Sequence, residues 1–217
     1  MNRSSTTDRP WPVRTLQIDI GDQKIHIDVI EEFDAVLNDF AREAPDDIDQ
    51  IPYFADIWPS AIALAQYLSC HPAVVRNKHV IELGCGLGLP AIVAAKQGAT
   101  SVTATDFHPA CIPYCQANAI KNDVRHIQCH TLDWRNPQTQ QTFDCIIGSD
   151  LLYEQHQIHA LIGCANRISK PHAQIILADP LRQHIESAVE QLQQTGWEIQ
   201  LHPQQEILII IATRSSK

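Results

Sequence analysis

Apolar and polar positions alternate twice near the start of the chain: Leu16, Ile18 and Ile20, then Ile25, Ile27 and Val29, with Gly21 and Asp22 between the runs. Period-two alternation on either side of a turn pair predicts a β-hairpin with one buried face. Phe33, Val36, Leu37 and Phe40 then recur at i, i+3, i+4 and i+7, the spacing of a short amphipathic helix. Residues 43–50 are rich in Asp and broken by Pro45, which predicts an exposed, mobile connection. From Ser60 the pattern changes: Ala61, Leu64, Ala65 and Leu68 form one helical stripe that stops before His71 and Pro72.

Beyond that point strand and helix patterns alternate. Apolar runs at 79–83, 101–105, 125–130, 144–148 and 174–178 predict strands, and the segments at 90–97, 110–122, 157–169 and 181–195 predict helices. Such alternation is the mark of an α/β domain with helices on both faces of a parallel sheet, a three-layer arrangement. Ile175, Ile176, Leu177 and Ala178 are consecutive rather than alternating, as in a strand covered on both sides. The last two runs, 196–201 and 206–211, are separated by a few residues around Pro203, too few for a crossover helix, so they predict an antiparallel terminal hairpin.

A length of 217 residues suits one α/β domain with an N-terminal elaboration. The net charge of −9 and the lack of a Lys/Arg cluster argue against nucleic acid as a partner and favour a basic substrate. The 7 cysteines are odd in number and lie mostly within apolar runs, which reads as buried thiols in a reducing compartment. There is no C-x-x-C pair; Cys111 and Cys115 near His108 are weighed as metal ligands and read instead as packed helix thiols, so no metal is expected. His126 and His130 sit on a predicted strand, too far apart along it to share an ion. No run approaches the ~20 apolar residues of a membrane span, and residues 1–14, with Asp8, Pro10 and Pro12 among arginines, read as a disordered tail rather than a transit peptide. A cytoplasmic monomer is the expectation that follows.

The candidate chemistry starts at Val80-Ile81-Glu82-Leu83-Gly84-Cys85-Gly86-Leu87-Gly88-Leu89-Pro90, a strand, a glycine loop and a helix start. Glycines allow the sharp turn and let a ligand approach the peptide N–H groups, and Pro90 fits a first helical turn. The spacing is one residue tighter than the dinucleotide fingerprint, and Glu82 stands where a pyrophosphate would be repelled. S-adenosylmethionine carries no phosphate, and its ammonium suits Glu82. Asp106, about twenty residues downstream at a strand end, is placed to accept hydrogen bonds from ribose hydroxyls. In Leu132-Asp133-Trp134, the indole offers a stacking face for adenine and Asp133 an acceptor for its amine.

Together with Ile57-Trp58-Pro59-Ser60 and Ser149-Asp150-Leu151-Leu152-Tyr153-Glu154, these motifs resemble the seven-β-strand protein-lysine methyltransferases of methyltransferase family 16. The likeness spans roughly residues 50 to 180 and is nearest to the electron-transfer-flavoprotein β-subunit lysine methyltransferases and their bacterial relatives. It implies a Rossmann-like, seven-stranded, mostly parallel sheet with an antiparallel C-terminal strand, plus the N-terminal hairpin and helices. It also implies that Trp58, Gly84, Cys85, Gly86, Asp106, Trp134 and Ser149 line a site for S-adenosylmethionine, and that Asp150 and Tyr153 face the target nitrogen. The implied partner is a protein with an accessible lysine.

The implied division is a tail at 1–14, an extension covering the site at 15–58, and the S-adenosylmethionine-binding domain at 59–217. Asp179-Pro180-Leu181-Arg182 resembles a D-P-x-R element of some members, so Arg182 either approaches the site or pairs with Asp179. Tyr53 and Phe54 are candidates for the substrate entrance. Three other readings compete: a small-molecule N-methyltransferase, an NAD-dependent oxidoreductase and a non-catalytic binding module. The oxidoreductase lacks a Tyr-x-x-x-Lys pair, since Gln157 follows Tyr153 and Asn118 follows Tyr114 at that spacing.

Overall fold

The computed structural model describes residues 9–43 and 51–214. Most of the connection expected at 43–50, and residues 1–8 of the expected tail, lie outside the described residues. The hairpin forms as β1 (Val13–Ile20) and β2 (Gln23–Ile30), turning at Gly21, and is followed by α1 (Phe33–Glu43). After α2 (Pro59–Cys70) come β3 (His79–Leu83), α3 (Leu89–Lys96), β4 (Ser101–Asp106), α4 (Ile112–Lys121) and β5 (Ile127–Thr131). The chain continues as β6 (Phe143–Ser149), α5 (Gln155–Ile168), β7 (Ser169–Pro180), α6 (Ile185–Gln194), β8 (Trp197–Gln204) and β9 (Ile207–Arg214).

The large sheet has 7 strands in the order β5-β4-β3-β6-β7-β9-β8. Strands β3 to β7 are parallel, and β9 lies antiparallel between β7 and β8. The Rossmann-like three-layer α/β fold expected from the sequence is the fold observed. One face carries α2, α3 and α4 and joins the hairpin in a single core that includes Ile25, Ile27, Leu64, Leu68, Leu89 and Ile92. The other face carries α5 and α6 over Ile81, Leu83, Ile146 and Ile175. Ile158, Leu161, Ile162, Ala165 and Ile168 of α5 are its buried stripe, at helical spacing. Between β5 and β6 residues 132–142 run as a loop rather than a helix.

Two local expectations need correction. Residues 9–14 are not a loose tail. Arg9 pairs with Asp28 at 3.3 Å, the Trp11 ring lies stacked 6.4 Å from Tyr114, and β1 already starts at Val13. Pro203 does not mark the terminal turn but sits within β8, opposite Leu208. Strand β8 is the edge of the sheet, the place where a residue without an N–H is tolerated. Among the described residues, no helix is long and apolar enough to cross a membrane.

Register fixes where the chemistry collects. Leu83 pairs with Thr105 and with Gly148, Asp106 with Thr131, and Ser149 with Ala178. The ends of the parallel strands therefore align, and each strand hands its next residues to the same edge of the sheet. Ligands in open α/β sheets bind at that carboxyl edge.

Candidate functional site

A cavity of about 330 Å³ opens at this edge, within the ~300–1,000 Å³ usual for small-molecule sites. Its floor is the loop after β3, where Gly84, Gly86 and Gly88 have φ of +64°, +47° and +88°. Those angles lie in the left-handed region that side chains disfavour, and a Cβ on Gly88 would come within 2.6 Å of Cys115 Sγ. Gly84, Cys85 and Gly86 line the cavity, as do Trp58, Asp106, Asp133, Trp134, Ser149, Asp150 and Tyr153. Glu82 does not. It is 0% exposed under the first turn of α3, where its Oε2 accepts the Ala91 N–H at 2.9 Å. Burial raises its carboxyl well above the usual range, which favours the neutral acid. Glu82 therefore does not meet a ligand ammonium in this cavity, contrary to the expectation from the sequence.

Asp106 holds the loop in shape. Its Oδ2 accepts from the Gly86 N–H and its Oδ1 from the His108 N–H, each at 2.9 Å. Burial pushes its carboxyl up, and the N–H groups of His108 and Gly86 pull the other way. His108, lowered by burial and so biased to the neutral imidazole, packs edge-on against Phe40 at 4.6 Å and tilted against Phe54 at 5.0 Å. Phe54 also lines the cavity. Trp11 lies 6.4 Å from Phe54, so the N-terminal segment buttresses the wall of the site. It is residues 51–58, not the hairpin, that reach the cavity.

Asp133 accepts from Arg135 Nε at 2.9 Å, and the Arg135 guanidinium lies 4.7 Å over the Phe107 ring. Trp134 is buried, belongs to the core on the α5 and α6 face of the sheet, and lines the cavity. Cys85, Asp106 and Cys111 bring one potential ligand atom each within 4.8 Å of one another, a different trio from the His108, Cys111 and Cys115 weighed from the sequence.

The opposite end of the cavity is acidic and aromatic. Asp150 follows β6 in a left-handed conformation, φ +58°, fixed by its N–H donating to Ala178 O at 2.9 Å. It does not cap α5, which begins at Gln155. Arg182 Nη2 donates instead to Asp150 Oδ1 at 2.7 Å, while Arg182 Nη1 donates to Asp179 Oδ1 at 2.9 Å. Both alternatives weighed for Arg182 thus hold together. Asp179 is 0% exposed and also accepts the Leu152 N–H at 2.9 Å. Burial pushes its carboxyl up to about 6, against the pull of the Leu152 N–H and of Arg182. Asp150 Oδ2 is buried with no hydrogen-bond partner.

Tyr153 lies 5.9 Å from Tyr53, which in turn packs at 6.2 Å against Trp58. Trp58 is 39% exposed and donates through Nε1 to Tyr53 O at 2.8 Å. Sequence reasoning missed Phe107, His108, Arg135 and Gln157 as lining residues. His108 and Arg135 each stand two residues after an acid, Asp106 at the end of β4 and Asp133 just past β5, and that shared spacing is visible in the sequence.

A family profile described as lysine methyltransferase matches residues 49–194. The electron transfer flavoprotein beta subunit lysine methyltransferase of Danio rerio is 32% identical over 136 residues, covering 62% of this chain and 52% of that one. The histone-arginine methyltransferase METTL23 of Rattus norvegicus is 34% identical over 119 residues, covering 52% of each. The chain thus spans about half the length of these curated relatives. Among solved structures, the T. thermophilus 16S rRNA N2 G1207 methyltransferase RsmC, in complex with AdoMet and guanosine, superposes with a TM-score of 0.71. That match has 17% identity and covers 95% of this chain and 52% of the other. It speaks for the fold. The profile covers more than half of the sequence, and the chain belongs to the lysine methyltransferase family.

Proposed function

We propose that this chain uses S-adenosylmethionine to methylate an amine on a protein, a lysine side chain. The observation that carries the reading is the meeting, in one cavity, of a phosphate-free nucleoside cradle with an acid, Asp150, whose second oxygen is buried and unpartnered. The residues fit that cofactor. Glycine backbone, Asp106 and the Trp134 indole suit a nucleoside, and the two guanidinium groups at the cavity, Arg135 and Arg182, are already paired with carboxylates. A pyrophosphate would meet the acid Asp106, while Arg135 is held by Asp133 and Arg182 by Asp150 and Asp179.

Bound there, S-adenosylmethionine supplies a methyl group on a sulfonium, which a neutral nitrogen displaces in line, so alignment is most of the task. Asp150 draws the acceptor ammonium to the site. The rings of Tyr53, Trp58 and Tyr153 desolvate it, which lowers its pKa from ~10.4 and favours loss of the proton to water at the rim before attack. The acidic surface of a chain with net charge −9 suits a basic protein partner. The lysine-methylating and arginine-methylating relatives both support a protein acceptor.

The test is transfer of radiolabelled methyl groups to a cell extract, followed by mass spectrometry. Label is expected on protein lysine. Asp150→Ala should abolish it while S-adenosylhomocysteine affinity, measured by calorimetry, stays within about threefold. Label confined to small molecules refutes the reading.

A further inference from the structure

The acidic end of the cavity is built as a latch. Arg182 is anchored from below by Asp179, which is 1% exposed in its side chain, and by its own backbone N–H donating to Pro180 O at 2.6 Å. Its other nitrogen occupies Asp150 Oδ1, and the Arg182 side chain remains one-third exposed. Asp150 thus has a single oxygen left without a partner. Among the described residues, the other acids lining the cavity are engaged or peripheral: Asp106 holds two backbone N–H groups, Asp133 holds Arg135, and Asp56 is exposed and accepts the Ile57 N–H.

We infer that Arg182 selects the acceptor, admitting a primary amine such as a lysine side chain and rejecting a guanidinium such as an arginine side chain. Two arguments meet in this residue. A guanidinium is planar and docks on a carboxylate through two parallel N–H bonds, which require both oxygens. Arg182 has taken one of them. An amine is a compact donor that needs only one. The second argument is charge. A fixed cation beside the acceptor favours the neutral form of an amine, the form that attacks, whereas a guanidinium keeps its charge and is repelled. The buried anchor at Asp179 keeps Arg182 from swinging away to relieve that repulsion.

The inference rests on the amine-methylating reading above, and its test separates the two. Binding of n-butylamine and n-butylguanidine to the full chain saturated with S-adenosylhomocysteine is measured by competition and calorimetry. The natural chain should prefer the amine by about tenfold or more, the scale of a like-charge contact. Arg182→Met should bring the two affinities within about threefold or reverse them, and Arg182→Lys, which keeps the charge but leaves the fork unmade, should fall between. Thermal melts of both variants confirm the fold. Equal binding of the two probes by the natural chain, binding of neither, or an unchanged ratio in Arg182→Met overturns the inference. Failure of methyl transfer to protein with the binding preference intact overturns only the methylation reading.

Discussion

Asp179 is the group whose titration is most readily isolated. Several effects compete on its carboxyl: burial and the neighbouring Asp150 carboxylate raise it, and the Leu152 N–H and the Arg182 guanidinium lower it. Burial wins, and the carboxyl sits at about 6 against an ordinary 3.8. An acid raised in the folded state binds more protons folded than unfolded, so it favours folding at low pH and the contribution is lost as pH rises from about 4 through about 6. A shift of about 2 units corresponds to ~3 kcal/mol. Asp179→Asn is nearly isosteric, keeps an oxygen for the Leu152 N–H, and does not titrate. Its loss of the charged contact to Arg182 offsets part of its gain at neutral pH, so the difference between the two proteins matters more than either value. Urea unfolding of both at pH 4, 5, 6 and 7 should show the natural chain losing ~2–3 kcal/mol relative to the variant across that window. Parallel stability curves would refute the argument. A natural chain that gains on the variant as pH rises would show Asp179 to be an ordinary ion-paired carboxylate with a lowered pKa.

Gly88→Ala places a Cβ at φ +88° and 2.6 Å from Cys115 Sγ in a packed core. Handedness and overpacking together should cost ~3 kcal/mol and lower Tm by roughly 5–10 °C, measured by calorimetry; an unchanged Tm contradicts the packing described for the loop. Glu82→Gln replaces an acid held toward its neutral form by burial and keeps an acceptor for Ala91. It should cost less than ~1 kcal/mol near neutral pH and gain on the natural chain as pH climbs above the ordinary carboxylate range, whereas Glu82→Ala, which strips Ala91 of its acceptor, should cost ~2–3 kcal/mol. Equal losses for both variants in urea unfolding count against a neutral Glu82.

Local periodicity carried the fold because each element buries one face or two, and the period reports which. It placed the hairpin, the helical stripes and the alternation that makes the sheet parallel. What it lacked was long-range partnership. Trp11 stands between Pro10 and Pro12, with no pattern of its own, and is held by a ring and a hydroxyl on Tyr114, 103 residues away. Pro203 looked like a turn because only the strand order shows that β8 is an edge. Arg182 could be placed between Asp150 and Asp179 only once β6 and β7 were known to be neighbours.

Glu82, Asp106 and Asp150 make the same point in chemical terms, since their surroundings in the fold set what each can do. Glu82 lies inside β3, one step before the strand ends, and alternation gives it the same face as Val80, beneath α3. With one N–H donor and no exposure, it is held toward a neutral structural acid. Asp106 is one residue beyond the ladder pair Leu83 and Thr105, so its side chain leaves the sheet at the edge and gathers two N–H groups of the loop. Asp150, one residue beyond β6, has a guanidinium on one oxygen and nothing on the other. A buried carboxylate oxygen without a donor is costly, and the cost is relieved when a donor arrives. Of the three, Asp150 alone both lines the cavity and keeps an oxygen without a donor. Glu82 Oε1 is also buried without a donor, but away from the cavity, so donor count and place at the cavity together separate the three acids.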